Sequence, residues 1–427
     1  MADLKRILVL GGGFAGMYAA RRLEKRLGKR RDVEITLVNR DNYFLFTPML
    51  HEIASGELDV THIVNPVRKL LRRTRFFDGD VHAIDLDRRV VSVSHGREEH
   101  PHELPYDHLV LALGSVVNTY GLPGLESRAL PMKELGDAIR LRSRLIESLE
   151  EADFECCPKV RERNLTLVVA GGGFAGVETV ASAHDFLEQA RAFHPRLRRA
   201  KLRVVLVHSG AEILPELGPA LGAYARRKLA ERGVEVILGA KVAAQDADGV
   251  TLADGRRIPT HNLVWTAGTA PHPLLKTLPC ALDRGRIAVD ATLAVPGRPG
   301  VWALGDCAAV PDPSGGLCPP TAQHASRQGT TVADNVASAV VGRGAPRPFA
   351  FKTLGLLASL GRRTGVARIF GLNVSGFPAW WLWRTIYLFK LPRFEKKFRV
   401  MLDWTLDLVF AKDLVQFHSV RRSLIAT

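Results

Sequence analysis

Cysteine is scarce in this chain: five in 427 residues, at positions 156, 157, 280, 307 and 318. No two are spaced C-x-x-C and no zinc pattern is present. So few thiols suit a reduced, cytosolic setting. Long apolar runs are also missing. No stretch of about 18 charge-free apolar residues exists, so no spanning helix is expected. A predicted strand begins almost at the N-terminus, so no signal peptide is expected. Acid is short relative to base: 44 Asp and Glu against 59 Lys and Arg, a formal net charge of +15. The basic clusters at residues 29–31, 69–75, 196–203 and 396–399 are scattered. They accompany no nucleic-acid fold motif, so no nucleic-acid partner is expected. An anionic membrane surface would account for them equally well. The length allows two or three domains.

One hexapeptide, Gly-Gly-Gly-Phe-Ala-Gly, occurs twice, at residues 11–16 and 171–176. Each copy follows an apolar run (7–10 and 165–170) and precedes a stretch that can be helical (17–27 and 177–192). Both read G-x-G-x-x-G. The first glycine of each (Gly11, Gly171) permits a tight turn out of the strand. The second (Gly13, Gly173) admits a pyrophosphate without a Cβ in the way. The third (Gly16, Gly176) brings the helix close to the sheet. The N-terminus of the helix after each loop then offers free N–H groups and a positive dipole end to the phosphates. One such loop could be a glycine-rich turn without a ligand. Two identical loops in matching strand–turn–helix contexts point to two dinucleotides, and so to electron transfer between a bound flavin and a visiting nicotinamide.

The repeat extends further. Strands at 35–38 and 204–207 follow the two helices, and a β-rich part with alternation at 90–93 follows the first. Each half then ends in an apolar strand closed by glycine, with Ala112 and Gly114 in one and Ala267 and Gly268 in the other. A third apolar strand, 301–304, delivers Gly305-Asp306. That aspartate could accept hydrogen bonds from flavin ribityl hydroxyls, or it could cap a helix starting just after it. The expected fold is α/β, with two Rossmann-like, three-layer dinucleotide-binding domains and a C-terminal helical membrane-associating region. The boundaries read 1–115 and 281–345 for the flavin domain, 116–160 for a connector, 161–280 for the nicotinamide domain and 346–427 for the tail.

The tail carries four of the six tryptophans: Trp380, Trp381, Trp383 and Trp404. Residues 379–391 are nearly all apolar between Pro378 and Pro392. As a helix they would span about 20 Å, short of the roughly 30 Å hydrocarbon core. Residues 394–410 read as an amphipathic helix, with Glu395, Arg399, Asp403 and Asp407 as a polar stripe. Phe394, Phe398, Met401, Leu402, Val409 and Phe410 lie elsewhere on it. Aromatics with Lys and Arg suit a helix in a membrane interface. A dimer interface or core edge is the alternative.

These features resemble the type II NADH:quinone oxidoreductases, single-subunit NADH dehydrogenases that do not pump protons. The resemblance covers nearly the whole chain. It rests on both loops, on Asn42-Tyr-Phe-Leu-Phe-Thr-Pro48, on Gly176-Val-Glu178, on Gly305-Asp306 and on Ala322-Gln-His-Ala-Ser-Arg-Gln-Gly329, which is similar to the family's A-Q-x-A-x-Q-Q-G signature. It implies bound FAD, NADH as donor, quinone as acceptor, and peripheral attachment to the cytoplasmic face of the cell membrane, with a homodimer left open. It implies flavin contacts by Gly11, Gly13, Phe14, Ala15, Gly16, Asn39, Arg40, Thr47, Pro48, Val81, Ala112, Gly114, Gly305, Asp306 and Gln323. It implies nicotinamide contacts by Gly171, Gly173, Phe174, Gly176, Glu178, His208, Ser209, Ala267 and Gly268. Glu178, Gln323 and Gln328 are the implied catalytic residues, and no metal is implied. His324 is a lesser candidate.

Three positions depart from the family pattern. Arg327 stands where glutamine is common. Asn39 and His208-Ser209 end their strands where an acid for the ribose is usual. A carboxylate in the second copy would repel the 2′-phosphate of NADPH, so NADPH stays open as donor. Glu178 follows the second loop, where a carboxylate beside a pyrophosphate would be unfavourable, so another task is expected of it: contacting the nicotinamide or relaying protons. Complementing the helix dipole is the alternative. Disulfide oxidoreductases of this fold need a redox cysteine pair early in the chain, and here none precedes Cys156. Sulfide:quinone reductases typically carry a cysteine in the second loop, which is cysteine-free here. A non-enzymatic nicotinamide sensor is the third reading.

Overall fold

The apolar runs ahead of the two glycine loops become the central strands of two parallel sheets. The computed structural model describes residues 4–416. It divides into two compact units. The first comprises residues up to Leu45, Val64–Val116 and Thr269–Thr353; the second comprises Phe46–Ile63, Val117–Gly268 and Leu354 onward. The contiguous boundaries read from sequence do not express this division. Residues 46–63 go with the second unit because their side chains are paired there with the C-terminal helices, as described below.

In the first unit, Lys5–Leu10 is flanked by Val33–Asn39 and His108–Leu111, with Arg75–Asp78 and Val301–Ala303 at the edges. All neighbours run parallel. Residues 7–10 are buried without alternation, as expected of a parallel strand covered on both faces. Helix Phe14–Leu27 packs on helix Ala322–Val341 so closely that a Cβ on Gly329 would lie 2.4 Å from the Ala15 carbonyl oxygen. Arg22 and Arg26 of one helix both reach Asp334 of the other at 2.8 Å.

The second unit repeats the plan. Thr166–Ala170 lies between Arg203–Val207 and Asn262–Trp265, with Val234–Ile237 and Leu130–Pro131 outermost. Each unit inserts a three-stranded antiparallel sheet before its fourth long strand: Asp80–Asp85, Val90–His95 and His100–Pro105 in one, Val242–Gln245, Gly249–Leu252 and Arg257–Pro259 in the other. The duplication is therefore of whole supersecondary units, not of loops alone.

The tail begins with a feature that sequence reading did not foresee. Gly355–Ser359, Gly365–Ile369 and Leu372–Gly376 form an antiparallel meander. Helix Phe377–Lys390 follows, with Pro378 in its first turn where a missing N–H does no harm. Helix Phe394–Leu406 comes next. Among the described residues, no helix is long and apolar enough to cross a membrane.

Candidate active site

Both glycine loops fold alike. Gly11 N–H donates to the Val38 carbonyl and Gly171 N–H to the Val207 carbonyl, each at 2.9 Å. A Cβ on Gly16 or Gly176 would lie within 2 Å of the first glycine's carbonyl oxygen (1.9 and 1.8 Å), so only glycine fits the helix start. Gly13 and Gly173 are the opposite case. Each is a helix N-cap with no side-chain cap and no acid in the first turn, and a Cβ on either would meet nothing within 4 Å. Free N–H groups, a positive dipole end and open space are what a pyrophosphate needs. Both cradles fit a dinucleotide.

The strand-end residues have a job that sequence reasoning missed. Gly12 N–H donates to Asn39 Oδ1 at 2.7 Å, and the Asn39 amide donates to the Asp41 carbonyl at 2.8 Å. In the second unit, Gly172 N–H donates to His208 Nδ1 at 3.1 Å. The amide and the imidazole thus do the same work, fixing the middle of each loop. This explains how two residues unlike the usual acid can stand there. Arg40 and Ser209, the next residues, are exposed.

Gly305 and Asp306 form a 3-10 turn after Val301–Ala303. Ser115 Oγ–H donates to Asp306 Oδ2 at 2.8 Å. The aspartate caps no helix: the next helix starts at Ala322 and is capped by Thr321. Gln328 is buried, and its Oε1 accepts Gly305 N–H at 2.8 Å. Its amide oxygen is thus turned inward onto the Gly305 turn. Gln323, five residues earlier, is half-buried, and the Arg327 guanidinium stacks 4.3 Å from the Phe351 ring centre. Ala112 is buried and Gly114 half-buried at the end of His108–Leu111, and Val81 is half-buried in Asp80–Asp85. Ala267 is exposed and Gly268 half-buried after Asn262–Trp265. Thr47 and Pro48 lie in the second unit, on the 3-10 turn Thr47–Met49.

Glu178 lies in the second turn of Phe174–Ala190, and its carboxyl is buried inside the second unit. Its Oε1 accepts Ser359 N–H at 3.1 Å and Trp383 Nε1–H at 2.9 Å. Oε2 lies 3.8 Å from His51 Nδ1. Burial raises the Glu178 pKa to about 8, against the pull of those two donors. Burial lowers that of His51 to about 4. At neutral pH the acid is mostly protonated and the imidazole is neutral, so the pair is not a salt bridge. His51 Nε2 is buried and, among the described residues, has no hydrogen-bond partner. Trp383 packs edge-on against both His51 and Tyr387, and Tyr387 against Phe46. The Tyr387 hydroxyl is pushed upward by burial and then by Glu178.

A second buried group adjoins the first on helix Leu50–Ala54. Both Glu52 oxygens accept Trp404 Nε1–H at 3.2 Å. Burial, then repulsion from Glu57, raises the Glu52 pKa well above the usual carboxylate range. Glu57 meets Lys412 at 3.2 Å and Arg384 at 3.7 Å. Burial opposes its charge, but these two cations outweigh it and its pKa is lowered. Glu52, Glu57 and Lys412 carry no sequence signature of this role, and Trp404 stands out only as part of the aromatic tail. The signal available was His51-Glu52 set between Met49-Leu50 and Ile53-Ala54, two ionisable residues in an apolar helix.

Fold and cradles together define an oxidoreductase that holds two dinucleotides. The pyridine nucleotide-disulphide oxidoreductase family model matches residues 5–329, and the NDH2 C-terminal domain model matches residues 354–413. The type II NADH:quinone oxidoreductase Ndh of Mycobacterium tuberculosis is 34% identical over 98% of this chain and 89% of its own. The demethylphylloquinone reductase NdbB of Synechocystis is 33% identical over 95% of this chain and 96% of its own. The structure of NDH2 from Plasmodium falciparum in complex with NADH superposes with a TM-score of 0.89 over 96% of this chain and 99% of that one; at 20% identity it speaks to the fold. The chain belongs to the type II NADH:quinone oxidoreductases.

Proposed function

We propose that this chain oxidises NADH and passes two electrons, through a resident FAD, to a membrane quinone without pumping protons. The observation that carries this reading is the pair of open glycine cradles in one chain, the second intact and free of cysteine. When bound, FAD supplies the chemistry of hydride acceptance and electron delivery. The first loop, from Gly11 to Gly16, and the Asp306 carboxylate held by Ser115 are the groups that would hold it. Gln328 is a positioning residue, since it fixes Gly305. The second loop would hold the nicotinamide dinucleotide. Because His208 stands where an acid would repel a 2′-phosphate, NADPH is admitted as a second donor.

Reducing a quinone to a quinol consumes two protons. Glu178 is suited to hold one, because it is buried and protonated near neutral pH beside a neutral imidazole. His51, with Nε2 unengaged, is the residue that would pass a proton on to it. The reading places Glu178 in proton delivery, with Gln323 on the flavin or quinone side.

Attachment to the cytoplasmic face of the membrane is supported by the surface of the tail. Trp381, Phe389, Phe394, Phe398 and Val409 are all more than half exposed. Aromatic and aliphatic side chains beside Lys390, Lys397 and Arg399 suit an anionic interface. A homodimer face would use the same residues. Stopped-flow mixing with NADH and then with quinones tests the enzyme. Flavin reduction by NADH followed by quinone-driven reoxidation is expected; reduction by sulfide alone, or slow turnover with every acceptor, refutes it. A Trp381→Ser/Phe394→Ser/Phe398→Ser variant is expected to bind anionic vesicles at least about tenfold more weakly. Undiminished vesicle binding would sink the membrane reading, and a change in oligomeric state instead would favour the dimer.

A further inference from the structure

One cluster of metal-ligating side chains in the first unit has no part in the reading above. The donor atoms of Asp312, Cys318 and His324 all lie within 4.8 Å of one another, with Cys318 and His324 buried and Asp312 half-buried. Two ordered pieces of backbone bring them together. Residues 311–317 form a tight hairpin, with Asp312 N–H bonded to the Gly316 carbonyl at 3.0 Å and a bridge between Pro311 and Leu317. Asp312 Oδ1 is held by the N–H and hydroxyl of Ser314 at 2.8 and 2.6 Å. Oδ2 faces the Cys318 sulfur at 4.0 Å. Cys318 N–H is fixed to the Val310 carbonyl at 2.9 Å. His324 lies in the first turn of Ala322–Val341, where Thr321 Oγ1 accepts its N–H at 3.3 Å and lies 2.8 Å from Nδ1. Metal-ligating histidines characteristically carry such an outer contact, which sets the tilt of the ring. Phe351 closes one side, edge-on to the imidazole at 5.1 Å.

We propose that Asp312, Cys318 and His324 form a site for a zinc-class divalent metal, with a fourth position open to water. The donor set selects the ion. One thiolate, one imidazole and one carboxylate suit borderline Zn²⁺, whereas Mg²⁺ and Ca²⁺ take oxygen ligands. Tetrahedral zinc bonds of about 2.0–2.3 Å put donors roughly 3.3–3.6 Å apart. Closing from within 4.8 Å needs a side-chain adjustment on the order of 1 Å. Binding exchanges the thiol proton for the metal, so one proton leaves per ion bound. Gln328, one helical turn beyond His324, holds Gly305 and also hydrogen-bonds with the Cys318 side chain.

The test uses the full-length flavoprotein carrying Cys156→Ser and Cys157→Ser, which removes the two exposed thiols. Calorimetry with Zn²⁺ is expected to give one equivalent, with release of one proton. Zinc X-ray absorption is expected to show one sulfur at about 2.3 Å and nitrogen or oxygen near 2.0–2.1 Å. Cys318→Ser should weaken binding by about 100-fold or more, and Asp312→Asn by at least about tenfold. Failure to bind stoichiometric zinc, a spectrum without sulfur, or full affinity in both variants would overturn the proposal. Asp312→Asn changes only one oxygen of a half-buried side chain. If Cys318→Ser does not fold, that variant and the absorption spectrum still decide.

Discussion

Glutamine at position 178 separates the proton-holding role of Glu178 from its structural one. It keeps the size of the side chain and an oxygen that can accept from Ser359 N–H and Trp383 Nε1–H, but it cannot give up a proton. In the wild type the acid titrates at about 8 in the folded chain, against an ordinary value of 4.5. Between those values the folded state keeps a proton that the unfolded chain has released. Stability therefore falls as pH rises through this window, by about 1.4 kcal/mol per pH unit, and levels off above it. From pH 5 to pH 9 this amounts to about 4 kcal/mol, which Glu178→Gln does not lose. The melting temperature of the variant relative to the wild type is expected to rise over that range by on the order of 5 °C for a chain of this size. His51, Glu52 and Glu57 titrate in both proteins, so the difference curve isolates position 178 except for coupling. Quinone-dependent turnover should fall by about 100-fold in the variant, while bleaching of the flavin absorbance by NADH stays unchanged. Wild-type turnover should decline as pH rises through about 8. Parallel pH–stability curves for the two proteins, or unchanged turnover in the variant, would refute the reasoning.

Other residues give equally direct expectations. Lys412→Met strips the nearer ion-pair partner from Glu57 and should destabilise the protein by about 3 kcal/mol, because a buried charge loses its 3.2 Å cation and keeps Arg384 at 3.7 Å; a chemical-denaturation midpoint equal to wild type would contradict this. Asn39→Ala removes the acceptor for Gly12 N–H, at a stability loss of about 1 kcal/mol, and should loosen FAD roughly fivefold in a dialysis-retention assay. His208→Asp can still accept Gly172 N–H but adds a charge that repels a 2′-phosphate. It should lower kcat/KM for NADPH at least about tenfold relative to NADH, and a wild type already inert to NADPH would remove the basis for that expectation.

The duplication was legible because glycine positions are dictated by backbone geometry that no other residue satisfies. Gly16 and Gly176 are required by carbonyl oxygens under 2 Å from where a Cβ would stand. In the sequence, Asn39 and His208 stand out only as residues unlike the usual ribose acid. Their bonds to the loops join residues 27 and 36 positions apart, a tertiary fact that spacing does not reveal. Glu178 stands out in the sequence as a carboxylate just after a phosphate cradle, but its partners Ser359 and Trp383 lie 181 and 205 residues downstream. Helix Phe394–Leu406 shows how far periodicity reaches. Its amphipathic pattern is real, yet the buried line is Lys396, Val400 and Trp404, while Phe394, Phe398, Met401 and Leu402 face outward. Docking through one mixed line while several large apolar side chains face outward inverts the usual inference from hydrophobicity to burial.

That inversion bears on how attachment can be studied. Lys396 Nζ donates to the Thr61 carbonyl at 2.6 Å, Asp403 pairs with His62, and Trp404 caps Glu52. The outward greasy side chains and the inward counter-groups therefore belong to one segment. Cutting the chain after Pro378 would take Trp404 from Glu52, Arg384 and Lys412 from Glu57, Asp403 from His62 and the Trp383 donor from Glu178. Release from the membrane and collapse of the buried acid cluster would then arrive together, indistinguishable in a fractionation experiment. Only substitutions confined to the outward row can detach the enzyme while leaving its interior in place.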